Sequence, residues 1–339
     1  MSWASELDAI LRSCIRAPTY YSLIILNCLA GTMTKKMYTL LEDRGLLKLI
    51  GTDAREFLQG LMSNDVEIVT GEHSIYAALL TPQGKFLFDF FVSQGAAPDI
   101  LLLDCEAHRL ADLQKRLTMY KLRADVTIED VTAAHSVLAC YGDGVAAALG
   151  LPDQPGAATD FNECKAFVDP RLAAMGARLI TAKNVANDAL EAAGLTPADR
   201  SAYDSHRLAL GISDGSRDIL VEKSFPAECN FDELNAVSYT KGCYVGQELT
   251  ARTHYRGTVR KRLLPVDVTG PMPQSGAPVM SGDRQVGEMR WGDNGKALAV
   301  LRLENIQGVD APQFSAGEAI ITPIVPDWIV LPELSESEG

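Results

Sequence analysis

Beyond Met37 the chain divides into short blocks. Some carry apolar residues at every second position and some at every third or fourth, the two repeats that strands and helices impose. "GLLKLIG" from Gly45 reads as a strand. Asp53, with Glu56 three residues later, makes a capping-box-like start for a helix through "AREFLQGLM" that stops near Gly60. "SIYAALL" and "KFLFDFFVS" flank "TPQG", where Pro82 and Gly84 suit the second and fourth turn positions, so an antiparallel hairpin is predicted. Alternation puts Phe86, Phe88, Phe90 and Val92 on its core face, with Lys85, Leu87, Asp89 and Phe91 on a mixed one. After the strand "ILLLDC", Leu110, Leu113, Leu117 and Tyr120 predict an amphipathic helix between Glu106 and Leu122.

The middle of the chain continues with strands at "DVTIEDV", "SVLACYG" and "GARLIT". Thr196-Pro197 reads as cap then first-turn proline for a helix reaching Leu210. Strands and helices without a regular βαβ rhythm predict an α+β fold. The last quarter holds half of the sixteen prolines among short strands such as "ALAVLRL" and "AIITPIV", the pattern of a small β-barrel or sandwich. The expected organisation is an extension at 1–36, a main region at 37–255 with two subdomains, a β-barrel at 256–331 and an acidic tail at 332–339. The run Tyr20 to Gly31 is too short to span a bilayer and makes a poorly formed leader.

Composition narrows the function. A net charge of -13 disfavours a general nucleic-acid or membrane-surface binder. Seven cysteines without a C-x-x-C pair fit neither a disulfide framework nor a zinc site, so no metal ligands are assigned and a reducing compartment is expected. From Lys241 to Arg262, however, six Lys or Arg face a single acid, Glu248, which suggests a multiply anionic ligand and leaves RNA open.

Candidate chemistry centres on "KGCYVGQE", residues 241–248. Gly242 and Gly246 permit tight backbone geometry and close ligand approach, and Lys241 is a cation that would favour a Cys243 thiolate. A hydrolase would need a histidine base; His254 is nearest in sequence, and no pattern ties it to the thiol. Asp89 interrupts a run of phenylalanines and reads as a carboxylate lining a cavity or as an acid on a half-wet face. Glu228 in "FPAECNFDEL" either receives donors from a ligand or caps a turn.

"KGCYVGQE", with Arg252 and Gly257 after it, resembles the signature of the YgfZ-type folate-binding proteins, relatives of the Iba-type iron-sulfur assembly factors. Supporting stretches include "FLQGLMSNDV" with Asn64, "TPQGKFLFDFFV", and the helix holding Arg207 ahead of Gly211. The resemblance implies the fold of the glycine cleavage aminomethyltransferase (T-protein), in which domains surround a central tetrahydrofolate pocket. T-proteins carry an aspartate-phenylalanine pair where this chain has Cys243-Tyr244, and paired aspartates where it has Phe88-Asp89. The implied role is therefore a tetrahydrofolate-binding factor for iron-sulfur cluster assembly or repair in client enzymes, including tRNA-modifying ones. Cys243, Lys241 and Asp89 would carry the chemistry, while Glu228, Arg207, Tyr244, Gln247, Arg252 and Asn64 would meet the cofactor. Glu228 or Asp89 would accept from ring nitrogens, and Arg252 or Arg256 would meet the glutamate tail. One thiol cannot hold a cluster alone, so a partner or a second cysteine such as Cys229 would contribute. A tetrahydrofolate-dependent aminomethyl or methyl transferase and an RNA-associated factor are the alternatives. The expected compartment is the cytoplasm, or the mitochondrial matrix in a eukaryote.

Overall fold

The computed structural model describes residues 34–183, 187–257 and 259–332, the Arg256 side chain excepted. The compact unit that carries the fold begins at Lys36; residues 1–33 of the expected extension and 333–339 of the expected tail lie outside the described residues. Strands β1 (Met37–Leu40), β2 (Arg44–Ile50), β3 (Ile75–Leu80), β4 (Phe86–Gln94), β5 (Ile100–Glu106), β6 (Thr127–Asp130), β7 (His135–Tyr141), β8 (Ala158–Phe161), β9 (Cys164–Val168), β10 (Ala177–Ala182) and β11 (Thr196–Pro197) form two sheets. One runs β3-β4-β5-β2-β6 and the other β11-β1-β7-β10-β9-β8. All pairings are antiparallel except β1 with β11.

The two sheets bury a shared interior. Leu46, Tyr76, Phe86 and Phe91 of the first meet Phe167 and Ile180 of the second. The outer face of the first sheet takes Leu58 of the helix Ala54–Gln59, together with Leu113 and Leu117 of the helix Leu110–Lys121. Val145 and Leu190, from the helices Val145–Ala148 and Asn187–Ala192, cover the second. A helix-sheet-sheet-helix stack results, and it leaves neither face of β4 wet. That explains its nearly continuous apolar run.

Charges also cross this interior. Arg44 Nε and Arg178 Nη1 donate to the two oxygens of Asp104, each at 2.6 Å, and Arg171 is bidentate to Asp169 at 2.9 and 2.7 Å. The guanidinium groups of Arg178, Arg171 and Arg44 surround the Phe91 ring at 3.8, 4.9 and 5.7 Å from its centroid. Buried ions are tolerated only when paired in this way.

After the helix Gln247–Arg256, strands β12 (Lys261–Thr269), β13 (Pro278–Ser281), β14 (Arg284–Asp293), β15 (Lys296–Arg302), β16 (Phe314–Ala316) and β17 (Ala319–Pro323) close into a six-stranded barrel. Leu264, Val266, Met289, Leu301 and Ile321 fill it. Leu263 and Leu298 join the inter-sheet cluster instead, with Trp291 packed against it, and so dock the barrel on the main body.

Four expectations need correction. A register shift pairs Leu79 with Phe88 and Leu80 with Phe86, leaving Leu87 as an extra residue. Phe86 is thereby turned into the inter-sheet cluster and Leu87 joins Phe88, Phe90 and Val92 outside it. The face holding Asp89 is thus dry, not mixed, and the half-wet reading fails. Asp53 stands before its helix but makes no cap; its carboxylate accepts from the Asp125 amide at 2.8 Å. Thr196-Pro197 pairs with Met37-Tyr38, and the helix Arg200–Leu210 is capped by Asp199 from the Ala202 amide at 2.9 Å. Tyr120 lies off the buried stripe of its helix, which is Leu110, Leu113 and Leu117.

Candidate functional site

The signature loop is held by its backbone. Lys241 Nζ donates to the carbonyls of Gln59, Met62 and Asn64 at 2.7, 2.8 and 2.7 Å, using all three protons of an ammonium. Burial pulls its pKa down to about 8, and the nearby Asp65 carboxylate opposes that pull. The ammonium expected to favour a thiolate therefore has another task, tying the loop to the segment after the helix Ala54–Gln59. Asn64 reinforces that segment: its side-chain amide donates to Tyr76 O and Asn235 O, both at 2.8 Å.

Farther along the loop, Gln247 Oε1 accepts from the Tyr244 amide at 3.2 Å, and the Tyr244 ring is buried in the inter-sheet cluster. Burial pushes its hydroxyl up to about 12. Gly246, at φ 86°, lies so close to the hairpin turn that a Cβ there would stand 2.4 Å from Thr81 O. Gly84 answers from the other side, where a Cβ would meet Gly246 O at 2.9 Å. At Gly246 the close approach is thus to another turn of the protein and not to a ligand, while a Cβ on Gly242 would meet nothing within 4 Å.

Gly242 and Cys243 remain exposed between these anchors. Cys105, Cys140, Cys164 and Cys229 are buried, and burial pushes Cys105 and Cys229 up to about 12. Cys229, considered as a second ligand, is therefore an inert core thiol. Among the described residues no group of three or more His, Cys, Asp or Glu side chains is arranged to hold a metal ion. An Asp232-Tyr239-His254 set braces the loop, a feature no sequence spacing announced. Tyr239 Oη donates to Asp232 Oδ1 at 2.6 Å, His254 Nδ1 lies 2.9 Å from Asp232 Oδ2, and the Tyr239 and His254 rings stack at 3.8 Å.

Asp89 is elsewhere. It lies within β4, five positions past Gly84 of the hairpin turn. Tyr76 Oη donates to its Oδ2 at 2.8 Å, while Oδ1 is buried without a partner among the described residues. Burial, then the nearby Glu106 carboxylate, raises its pKa to about 6. Gly215 packs against both acids: a Cβ there would stand 2.3 Å from Glu106 Oε1 and 3.0 Å from Asp89 Oδ1. Glu106 in turn accepts from the amide and hydroxyl of Ser216 at 2.8 and 2.5 Å. Outside this wall is a 310 Å³ cleft lined by Arg44, Glu106, Asp214, Ser216 and Arg217 among others. It shares Asp43 and Arg217 with a second cleft of 540 Å³.

Arg207 is buried near the same region. It bonds Asp204 Oδ1 and Asp218 Oδ2, both at 2.7 Å, and Ile212 O at 3.1 Å, and its Nη2 has no partner among the described residues. Its charge and that of Asp89 both feel Asp214. Glu228 belongs to neither place; it pairs with Lys261 at 3.3 Å and lines a separate 880 Å³ cleft against the barrel. Arg252 pairs with Glu248 at 2.8 Å on the surface of its helix. The Arg256 side chain lies outside the described residues. The nine residues singled out in the sequence thus form no single constellation: Lys241, Cys243, Tyr244, Gln247 and Asn64 belong to the loop, and Asp89 and Arg207 to the interior.

Sandwiched sheets with a closed C-terminal barrel make an aminomethyltransferase-like fold. The structure is similar to the glycine cleavage system aminomethyltransferase T from Bartonella henselae, with a TM-score of 0.71 and 16% identity over 89% of this chain and 88% of that one. That similarity concerns the fold. Residues 260–331 match the family described as CAF17, C-terminal beta-barrel domain. The sequence is 36% identical over 311 residues to the mitochondrial iron-sulfur cluster assembly factor IBA57 of Mus musculus, covering 85% of this chain and 84% of that protein. The Homo sapiens protein is 35% identical over the same shares. The chain belongs to the IBA57 family of iron-sulfur cluster assembly factors. No helix among the described residues is long and apolar enough to cross a membrane.

Proposed function

We propose that this protein assists the assembly or repair of iron-sulfur clusters in client enzymes, tRNA-modifying ones among them, by presenting Cys243 on a loop whose every other anchor is internal. The observation that carries this reading is that, among the described residues, Cys243 is exposed on a loop fixed by Lys241, Tyr244, Gly246 and Gln247 while the other four cysteines are buried. The cluster is cargo, and its remaining ligands come from a partner protein. In a eukaryotic cell the site of action would be mitochondrial, as in the named relatives. Activity of an iron-sulfur enzyme in cells lacking the endogenous factor tests this: wild type restores it and Cys243→Ser does not. Full restoration by the serine variant would remove the thiol from the account.

Tetrahydrofolate is the proposed ligand of the interior site. Its ring carries donors and a carbonyl, and Asp89 Oδ1 and Arg207 Nη2 are a buried acceptor and a buried donor without partners, groups that a ligand would satisfy. The clefts that share Asp43 and Arg217 reach only the outer side of the Glu106–Gly215 wall, so tetrahydrofolate would enter as that wall shifts, past Arg200 and Arg217, which are themselves paired with Asp204 and Asp214. Asn64, Tyr244 and Gln247 then serve the ligand only through the loop, and Glu228 and Arg252 have no part in it.

A further inference from the structure

The 880 Å³ cleft shares no lining residue with the signature 241–248 or with Asp89. Its walls come from the loop 220–229, the helix Gln247–Arg256 and the barrel strands β12, β14 and β15. Leu220, Phe225, Leu249, Val286 and Val300 give it an apolar floor. Five cations line it, Lys223, Arg260, Lys261, Arg290 and Arg302, against two acids, Glu228 and Glu288. Lys261 takes Glu228, and Arg290 takes Glu288. Lys223, Arg260 and Arg302 have no carboxylate partner among the described residues, in a chain of net charge -13.

The barrel register sharpens the imbalance. Lys261 stands directly opposite Arg302 on β12 and β15, and the Leu303 amide bonds to Arg260 O at 2.9 Å, which keeps Arg260 beside them. Like charges facing each other across a strand pair are unfavourable unless an anion is shared between them. Arg290, buried on the cleft wall, also keeps an Nε without a partner.

We propose that this cleft is a second binding site, distinct from the interior one, for an organic anion of two or more negative charges with a flat apolar body. Its volume falls in the range of small-molecule sites, roughly 300 to 1,000 Å³. The apolar floor takes the body and the three unpaired cations take the charges. Two sources share that chemistry, a nucleoside triphosphate and the oligoglutamate tail of a folate.

The test is calorimetric titration of the full-length protein with ATP and with pentaglutamyl tetrahydrofolate, beside adenosine and monoglutamyl tetrahydrofolate. The proposal expects one polyanion to bind about tenfold or more tighter than its less charged counterpart, with an affinity that falls as salt rises. Arg302→Gln alone, and Lys223→Glu, Arg260→Glu and Arg302→Glu combined, should erase that advantage. All three side chains are exposed, so the fold is kept, and monoglutamyl tetrahydrofolate binding should be unchanged. A change in that last binding would place the monoglutamate itself in this cleft and so overturn the separation from the interior site, whereas loss of the polyanion's advantage alone leaves the interior reading untouched. Equal binding of charged and uncharged forms, indifference to the charge reversals, or displacement of the polyanion by single-stranded RNA as the tighter ligand would overturn it.

Discussion

In the loop around Cys243 the buried cation, Lys241, is satisfied by three backbone carbonyls, whereas between the two sheets each guanidinium meets a carboxylate side chain. The difference decides what each region can do. A loop held by main-chain acceptors leaves its own side chains free, so Cys243 can face outward without loosening its support. An interior held by side-chain pairs has spent most of its polar atoms on one another, and among those left over, which include Arg178 Nε and Asp218 Oδ1, Asp89 Oδ1 and Arg207 Nη2 are the acceptor and donor proposed to meet a ligand. Reactivity in one region and recognition in the other are therefore separable by mutation.

The largest effect expected is functional. Cys243→Ser should abolish support of iron-sulfur enzymes while leaving the urea midpoint unchanged, because one exposed atom is exchanged. Lys241→Met breaks the loop's support instead. It leaves three carbonyls without their donor, and unfolding in urea should show a loss of about 2–4 kcal/mol alongside impaired function with the thiol still present.

Asp89→Asn probes the interior. Because Asp89 has a folded pKa raised to about 6, the native state binds more protons than the unfolded chain between about pH 4 and 6. Its contribution to stability therefore falls as pH rises through that window. The asparagine variant should flatten the fall, gaining about 2 kcal/mol at pH 7 relative to its effect at pH 4. A variant whose stability profile parallels wild type would mean that Asp89 is ionised throughout. The smallest effect is expected at Arg252→Ala, within about 0.5 kcal/mol and without change in folate affinity, since an exposed i,i+4 pair contributes little.

Much of this was legible in the sequence. The hairpin around "TPQG", the stripe Leu110-Leu113-Leu117 and the strand-dense C-terminal quarter follow from period and turn chemistry alone. The two-sided burial of β4 was not, because one extra residue at Leu87 reverses the faces and no local signal marks it. In the same way, "KGCYVGQE" identified the thiol but not the partners of Lys241, which lie some 180 positions earlier and are main-chain atoms that any sequence would supply. Glu228 and Asp89 looked equivalent as ring acceptors. Only the fold separates them, one paired beside an open cleft and the other with a free oxygen in the interior.

The most direct test of this division is calorimetric titration with monoglutamyl tetrahydrofolate of wild type, Cys243→Ala, Asp89→Asn and Glu228→Ala. The account predicts that Cys243→Ala and Glu228→Ala bind like wild type and that Asp89→Asn loses about tenfold or more, the scale of an unmade bond to a buried polar group. Binding lost with Cys243→Ala or Glu228→Ala but kept with Asp89→Asn would contradict it, and would put the folate at the loop or in the barrel cleft.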